Sequence, residues 1–165
     1  MHNVNPCFHI AGCVIATTPE AALVDDCVQW ARRYGAEILS QDDRHSLFVH
    51  FDAAGAQLVL FGCRAALAQR PPRLRFGFAS AVKETGAGGQ RAGERGVQQA
   101  RELAEAAQPG HTLLSSQLGS LLQMAQLEPC ERLRPMHLQL VSGRTAAAYA
   151  VEPLRAGPAV EPTRA

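Results

Sequence analysis

The sequence of 165 residues has little net charge and no long hydrophobic run. Its 16 Lys and Arg residues against 15 Asp and Glu give a formal net charge of +1, which excludes a basic nucleic-acid-binding module and an acidic disordered chain. No window approaches the roughly 18–20 apolar residues that a membrane span needs. Residues 1–7 lack the cationic start and apolar continuation of a secretion signal. We therefore expect a cytoplasmic protein with no nucleic-acid or membrane partner.

Paired cysteine motifs are also missing. The five cysteines are an odd number without a CxxC spacing, so neither a disulfide framework nor a structural zinc site is predicted. Several of them lie among apolar residues, where cysteine behaves as a small hydrophobe. Cys7 and His9 would supply only half of a tetrahedral metal site. We predict reduced thiols, no metal ligands and no cofactor.

The sequence contains enough apolar residues to form one hydrophobic core. A chain of this length forms a single domain, and we assign residues 1–153 to it. Residues 154–165 contain Pro and Gly and are predicted to be a flexible tail or linker. The short Gly-rich run from Gly86 to Gly89 predicts a flexible hairpin tip. Arg64, Arg70, Arg73 and Arg75 are predicted to form a solvated face.

Hydrophobic periodicity predicts a mixed order of strands and helices. Thr17 to Glu20 carries helix-start signals, with Thr as the N-cap, and Gly35 is the expected C-cap. The predicted strands are residues 8–16, 36–40, 46–51, 73–78, 112–114, 136–141 and 146–151, and the predicted helices are residues 19–34, 54–69, 93–107 and 115–124. The fold class is α/β (α+β): a ferredoxin-like βαββαβ core, a mostly antiparallel sheet with helices packed on it, and a C-terminal hairpin.

Three segments in order resemble one family of signalling enzymes. Residues 34–52 are similar to the hairpin pattern HGGxVVKxxGDxxxAVF, residues 74–80 to LRxGIHTG, and residues 97–115 to VNxAARLxxxAxPGxILVS. These patterns are those of the class III nucleotidyl cyclase homology domain, the catalytic fold of adenylate and guanylate cyclases. The resemblance implies a head-to-tail dimer with sites at its interface.

The resemblance also shows which catalytic features have changed. The family holds two metal ions with two aspartates, yet residues 7–18 contain no carboxylate, and only Asp42 or Asp43 fits the second position. An ordinary solvated turn is the alternative for this pair. At the positions of the family's transition-state Asn and Arg stand Gln98 and Glu102, with Arg101 adjacent. Ser40 replaces the Lys that reads the purine.

We therefore predict a degenerate, truncated cyclase-homology domain that is not an enzyme and has no catalytic residue. It would act in signalling or regulation through dimerisation, partner or ligand binding. The expected partner is a second copy or a cyclase-like protein. Asp43, Gln98 and Arg101 are the candidate contacts for a nucleotide ligand. The alternatives are a divergent cyclase or half-site subunit that makes a cyclic nucleotide from ATP or GTP, and a nucleotide or small-ligand sensor.

Overall fold

A computed structural model describes residues 9–50, 59, 62, 64–66, 68, 71–81, 83–86, 89–92, 94–124 and 132–152. The predictions for Cys7, Cys63, Cys130, Arg70 and the tail from residue 154 lie outside the described residues. The elements are β1 Ile10–Ala16, α1 Ala21–Arg33, β2 Glu37–Gln41, β3 His45–His50, β4 Leu74–Ser80, β5 Lys83–Gly86, β6 Gly89–Ala92, α2 Glu94–Ala106, β7 Thr112–Ser115, α3 Ser116–Met124, β8 Arg132–Gln139 and β9 Thr145–Glu152. The described residues among 59–68 are also helical.

Seven strands form one sheet in the order β2-β3-β1-β4-β7-β9-β8. Every pairing in it is antiparallel except β4 with β7, which are parallel. α2 makes the crossover that a parallel pair requires. The predicted βαββαβ order is present as β1, α1, β2, β3, the helical residues among 59–68, and β4. The fold class is confirmed.

The two faces of the sheet are covered by different helices. Alternate residues of β1 point to opposite faces: Ile10 and Val14 join the core cluster that contains α1 and α3, whereas Ala11, Cys13 and Ile15 join a cluster with Ala100 and Ala104 of α2. On the α1 face, Phe76 and Phe78 stack with ring centroids 5.8 Å apart. α2 alone of the three named helices covers the other face.

α2 lies directly against the backbone of β4 because Gly77 has no side chain. A Cβ at Gly77 would lie 2.5 Å from the backbone N of Ala104 and would overlap the carbonyl oxygen of Ala100. Both alanines are fully buried. Small residues on both elements therefore set the close approach of α2 to the sheet.

Two local predictions were wrong. α1 begins at Ala21 with Glu20 at the N-cap position and no side-chain cap, because the carboxylate of Glu20 binds Arg73 at 2.8 and 2.9 Å instead. β8 begins at Arg132, four residues before the expected start, since Pro135 is tolerated on an edge strand. The segment 83–92 forms a second, two-stranded sheet; the tip of this hairpin lies outside the described residues.

No helix within the described part of the chain is long and apolar enough to cross a membrane.

Candidate functional site

A cavity of about 350 Å³ lies on the α2 face of the sheet, at the end of β1. Its apolar lining is Cys13, Ile15 and Val141, and its polar lining is Arg44, His45, Arg75, Arg101 and Glu105. Cavities that bind small molecules have volumes of roughly 300–1,000 Å³. This cavity is therefore at the small end of that range, and cationic side chains dominate its polar surface.

Strand register brings two of these side chains to the cavity. Ile15 of β1 pairs with His45 of β3 on one side and with Arg75 of β4 on the other. Residues directly opposite one another in adjacent strands share a face of the sheet. His45 and Arg75 thus flank Ile15, and α2 adds Arg101 and Glu105 from above.

The β2–β3 turn is held in one conformation by Asp42. Its carboxylate accepts hydrogen bonds from the backbone N–H groups of Arg44 at 2.7 Å and His45 at 2.8 Å, and Nδ1 of His45 lies 3.0 Å from it. These backbone hydrogen bonds lower the pKa of Asp42 below its ordinary value. The carbonyl of Arg44 accepts from the N–H of Ala16 at 2.7 Å. The turn is therefore tied to the end of β1, which holds the backbone of Arg44 beside the cavity that this residue lines.

Arg75 and Arg101 are both oriented by α2. Nη1 of Arg75 lies 3.4 Å from the carbonyl oxygen of Glu105 and 3.5 Å from that of Ala107, at the helix C-terminus, where cations are favoured. Nε of Arg101 lies 3.5 Å from a carboxylate oxygen of Glu105. Nε of Arg75 is buried and has no hydrogen-bond partner among the described residues.

The thiol of Cys13 forms part of the cavity wall and is not a nucleophile. Burial raises its pKa to about 12, against a smaller lowering by Arg101. Only the thiolate attacks electrophiles or binds metals. Cys13 therefore contributes apolar surface at neutral pH.

The three predicted nucleotide contacts are not all in one place. Arg101 lines the cavity, whereas Asp43 and Gln98 are exposed and are not among its lining residues. The carbonyl of Asp43 accepts from the N–H of Glu20 at 2.7 Å, which ties the turn to the start of α1. The structure thus brings together Arg101 with Arg44, His45 and Arg75. A nucleotide role for Asp43, Gln98 and Arg101 stays a prediction.

Glu102, which the resemblance predicts to replace the transition-state Arg, is engaged within the chain. Its side chain is 13% exposed, and both carboxylate oxygens accept from Nη2 of Arg144, at 3.2 and 3.1 Å. Arg144 belongs to the turn between β8 and β9. The ion pair therefore fastens α2 to this turn and holds the carboxylate of Glu102 in place.

Sequence reasoning missed Arg44, His45 and Arg75 as members of one site. Arg75 was assigned to a solvated face, but it is half-buried, and so is Arg73, whose guanidinium binds Glu20. The alternation of β4 places Arg75 on the face opposite Phe76. That alternation is the signal that could have found Arg75, whereas its pairing with Ile15 depends on tertiary structure.

The fold is found in solved nucleotidyl cyclases. Neither a protein-family model nor a curated protein matches the sequence. The structure is similar to the adenylyl cyclase CyaB from P. aeruginosa, with 14% identity, 89% of this chain and 95% of that chain covered, and a TM-score of 0.60. It is also similar to the catalytic core of a rhodopsin-guanylyl cyclase with converted specificity in complex with ATPαS, with 14% identity, 89% and 96% covered, and a TM-score of 0.64. A third match is the guanylate cyclase domain of RhGC from Catenaria anguillulae in complex with GTP, with 12% identity, 88% and 97% covered, and a TM-score of 0.61.

These structural similarities establish the fold of the domain. The chain has the fold of the class III adenylyl and guanylyl cyclase catalytic domain, over nearly the whole length of the solved domains.

The two metal ions that the fold family implies do not fit the residues of the cavity. Divalent cations such as Mg²⁺ are held by carboxylate and other hard oxygen ligands. Among the described residues that line the cavity, the only carboxylate is that of Glu105, which is already paired with Arg101, and three guanidinium groups share the space. Within the described residues, no group of three or more His, Cys, Asp or Glu side chains is placed to hold a metal ion. The side chains that line the cavity are therefore suited to bind an anion and not a metal ion.

Proposed function

We propose that this chain is a cyclase-homology domain without cyclase activity, which acts in signalling or regulation by binding a partner or a ligand. The observation that carries the proposal is the cationic lining of the cavity at the end of β1. Three arginines there repel the divalent cations on which cyclisation of ATP or GTP depends in this family. A domain with this fold and this lining keeps the framework of a two-metal enzyme and loses its chemistry.

The Glu102–Arg144 ion pair supports the same proposal. A transition state that carries negative charge on phosphate oxygens is stabilised by cationic donors aimed at it. Glu102 presents the opposite charge, and its two hydrogen bonds to Arg144 hold it in place. Arg101 does not replace the missing group, because adjacent residues on a helix point about 100° apart.

The direct test measures cyclic nucleotide formation by the purified full-length chain. We expect no cAMP from ATP and no cGMP from GTP by mass spectrometry, with either Mg²⁺ or Mn²⁺. An active class III cyclase domain in the same buffer is the positive control. Cyclic product that rises with the concentration of the chain would overturn the proposal.

A half-site subunit is the second candidate, and the position of Arg101 favours it. Arg101 reaches the cavity, so it is available to a shared site in a mixed dimer with a complementary cyclase subunit. Activity would then appear only in the mixture, and both Arg101→Gln and Asp43→Ala would reduce it. Mixing with an active cyclase domain therefore separates this candidate from the first.

Self-association is part of the first proposal and has its own measurement. The guanylyl cyclase domain of the RhoGC fusion protein from Blastocladiella emersonii has been crystallised both as a monomer and as a non-canonical dimer. We expect a dimer of this chain in sedimentation velocity at micromolar concentration. If the chain were monomeric at all concentrations, self-association would be excluded, and the domain would have to act by binding a different partner or a ligand. The cytoplasm is the compartment we propose for it.

A further inference from the structure

We propose that the cavity at the end of β1 binds a small organic anion directly through its arginines, without a metal ion. The inference rests on the proposed function, because it gives the non-catalytic domain its ligand. The acidic group of the ligand would be a phosphate or a carboxylate. Its organic part would cover the apolar wall formed by Ile15 and Cys13.

The charge of the lining is the first argument. Arg44, Arg75 and Arg101 face one carboxylate, that of Glu105, which leaves a formal excess of two positive charges when His45 is neutral. Asp42 lies outside the lining and is bound to the β2–β3 turn and to Nδ1 of His45. No carboxylate among the described residues forms an ion pair with Arg44. An incoming anion therefore meets a net excess of positive charge, contributed by arginines from three separate elements.

The preorganisation of those cations is the second argument. Nη1 of Arg75 contacts the carbonyl oxygens at the end of α2, and Nε of Arg101 contacts Glu105, which lowers the side-chain entropy that binding would have to remove. Guanidinium groups suit both anions, since they donate parallel hydrogen bonds to two oxygens.

The size and mixed polarity of the cavity are the third argument. A volume of about 350 Å³ exceeds the needs of an inorganic ion, and Ile15 and Cys13 offer buried apolar surface beside the arginines. Ligand sites in proteins are mainly apolar, with a few placed polar groups that fix orientation. We therefore expect an acid with an organic body to bind more tightly than the bare ion.

The experiment is a thermal-shift and calorimetric titration of the full-length chain in EDTA at constant ionic strength. The probes are inorganic phosphate, AMP and benzoate, which separate the phosphate source from the carboxylate source. At about 100 times its dissociation constant, a ligand raises the melting temperature of a domain of this size by roughly 5–10 °C. We expect this shift with AMP or benzoate, a smaller one with inorganic phosphate, and no change when Mg²⁺ replaces EDTA.

Matched variants assign the binding to the cavity. Arg101→Gln and Arg44→Gln each remove one exposed cation and are expected to weaken binding about tenfold. Arg95→Gln removes an exposed cation from the same helix outside the cavity lining and should leave the dissociation constant unchanged. Melting of each variant without ligand verifies that it folds.

Three results would overturn the inference: no shift with any probe, equal weakening by Arg95→Gln and Arg101→Gln, or binding that requires Mg²⁺. The first two leave the proposed function standing, because the cyclic nucleotide assay is independent of these probes. Formation of cyclic nucleotide removes the proposed function whatever the titration shows. The two failures are therefore distinguishable.

Discussion

Replacing Gly77 by alanine tests how α2 is docked on the sheet. The added Cβ would meet the carbonyl oxygen of Ala100 and would lie 2.5 Å from the backbone N of Ala104 and 2.9 Å from Cβ of Leu103. The first two are backbone atoms, which no change of rotamer can move away. α2 must therefore shift as a unit, or β4 must bend.

The expected cost combines two opposed effects. Overpacking of a close-packed core costs about 1–3 kcal/mol, and a backbone obstacle places Gly77 at the upper end of that range. Alanine in a strand is ordinarily favoured over glycine by about 0.5–1 kcal/mol. We expect a net loss of about 2–2.5 kcal/mol of unfolding free energy, which lowers the melting temperature by roughly 4–10 °C for a domain of this size.

Gly143 supplies a control in which the cause of the glycine requirement is different. Its φ is +93° and a Cβ there would have no atom within 4 Å, so only backbone conformation is at stake. Asparagine tolerates this conformation better than alanine. At Gly143, Asn should therefore be milder than Ala, whereas at Gly77 the larger Asn should be worse than Ala. Urea denaturation of the four variants measures both orders. The same order at both sites, or a Gly77→Ala variant as stable as the parent, would refute the docking explanation.

Three further predictions concern the ends of β1 and α1 and the buried thiols. The pKa of Asp42 is lowered from 3.8 in the folded protein, so the charge of its carboxylate stabilises the fold above that pH and no longer does so once the pH falls below the folded-state pKa. The difference in unfolding free energy between the parent and Asp42→Asn should therefore vanish in acid. A difference that stays constant with pH would contradict this. Glu20→Gln should cost at most about 1 kcal/mol, since the bond to Arg73 is partly exposed, and the cost should shrink at high salt in urea titrations. Burial raises the pKa of Cys13 and Cys27 to about 12, so Cys13→Ala or Cys27→Ala should not change the number of thiols that react rapidly with DTNB in the native protein.

Much of the fold could be predicted because apolar periodicity is a local property. The alternation around Phe76 and the helical spacing of Ala100 and Ala104 each reflect burial of one face, and both elements occur where expected. The hairpin of β5 and β6 was not predicted as strands, because its glycines and polar residues carry no apolar alternation. The start of β8 was missed since a proline ordinarily argues against a strand.

The candidate site was less predictable, because it is formed by the register of the strands and by the packing of α2 on the sheet. Arg101 was identified through the resemblance of its helix to the cyclase pattern. Arg44 and Arg75 lie 31 residues apart in sequence. They reach one cavity only because β3 and β4 pair with opposite edges of the same strand, β1. Glu102 was recognised as a reversed charge, but its partner Arg144 comes from a turn 42 residues away, which no local pattern reveals.

The central place of β1 in the sheet has a consequence for the order in which the chain is made. β1 precedes both of its neighbours in the sheet, β3 and β4, which end at His50 and Ser80. Neither pairing can form until these later segments have been synthesised. Until then the apolar residues of β1 lack their native cover, so folding during translation depends on how quickly the chain from β1 to the end of β4 leaves the ribosome.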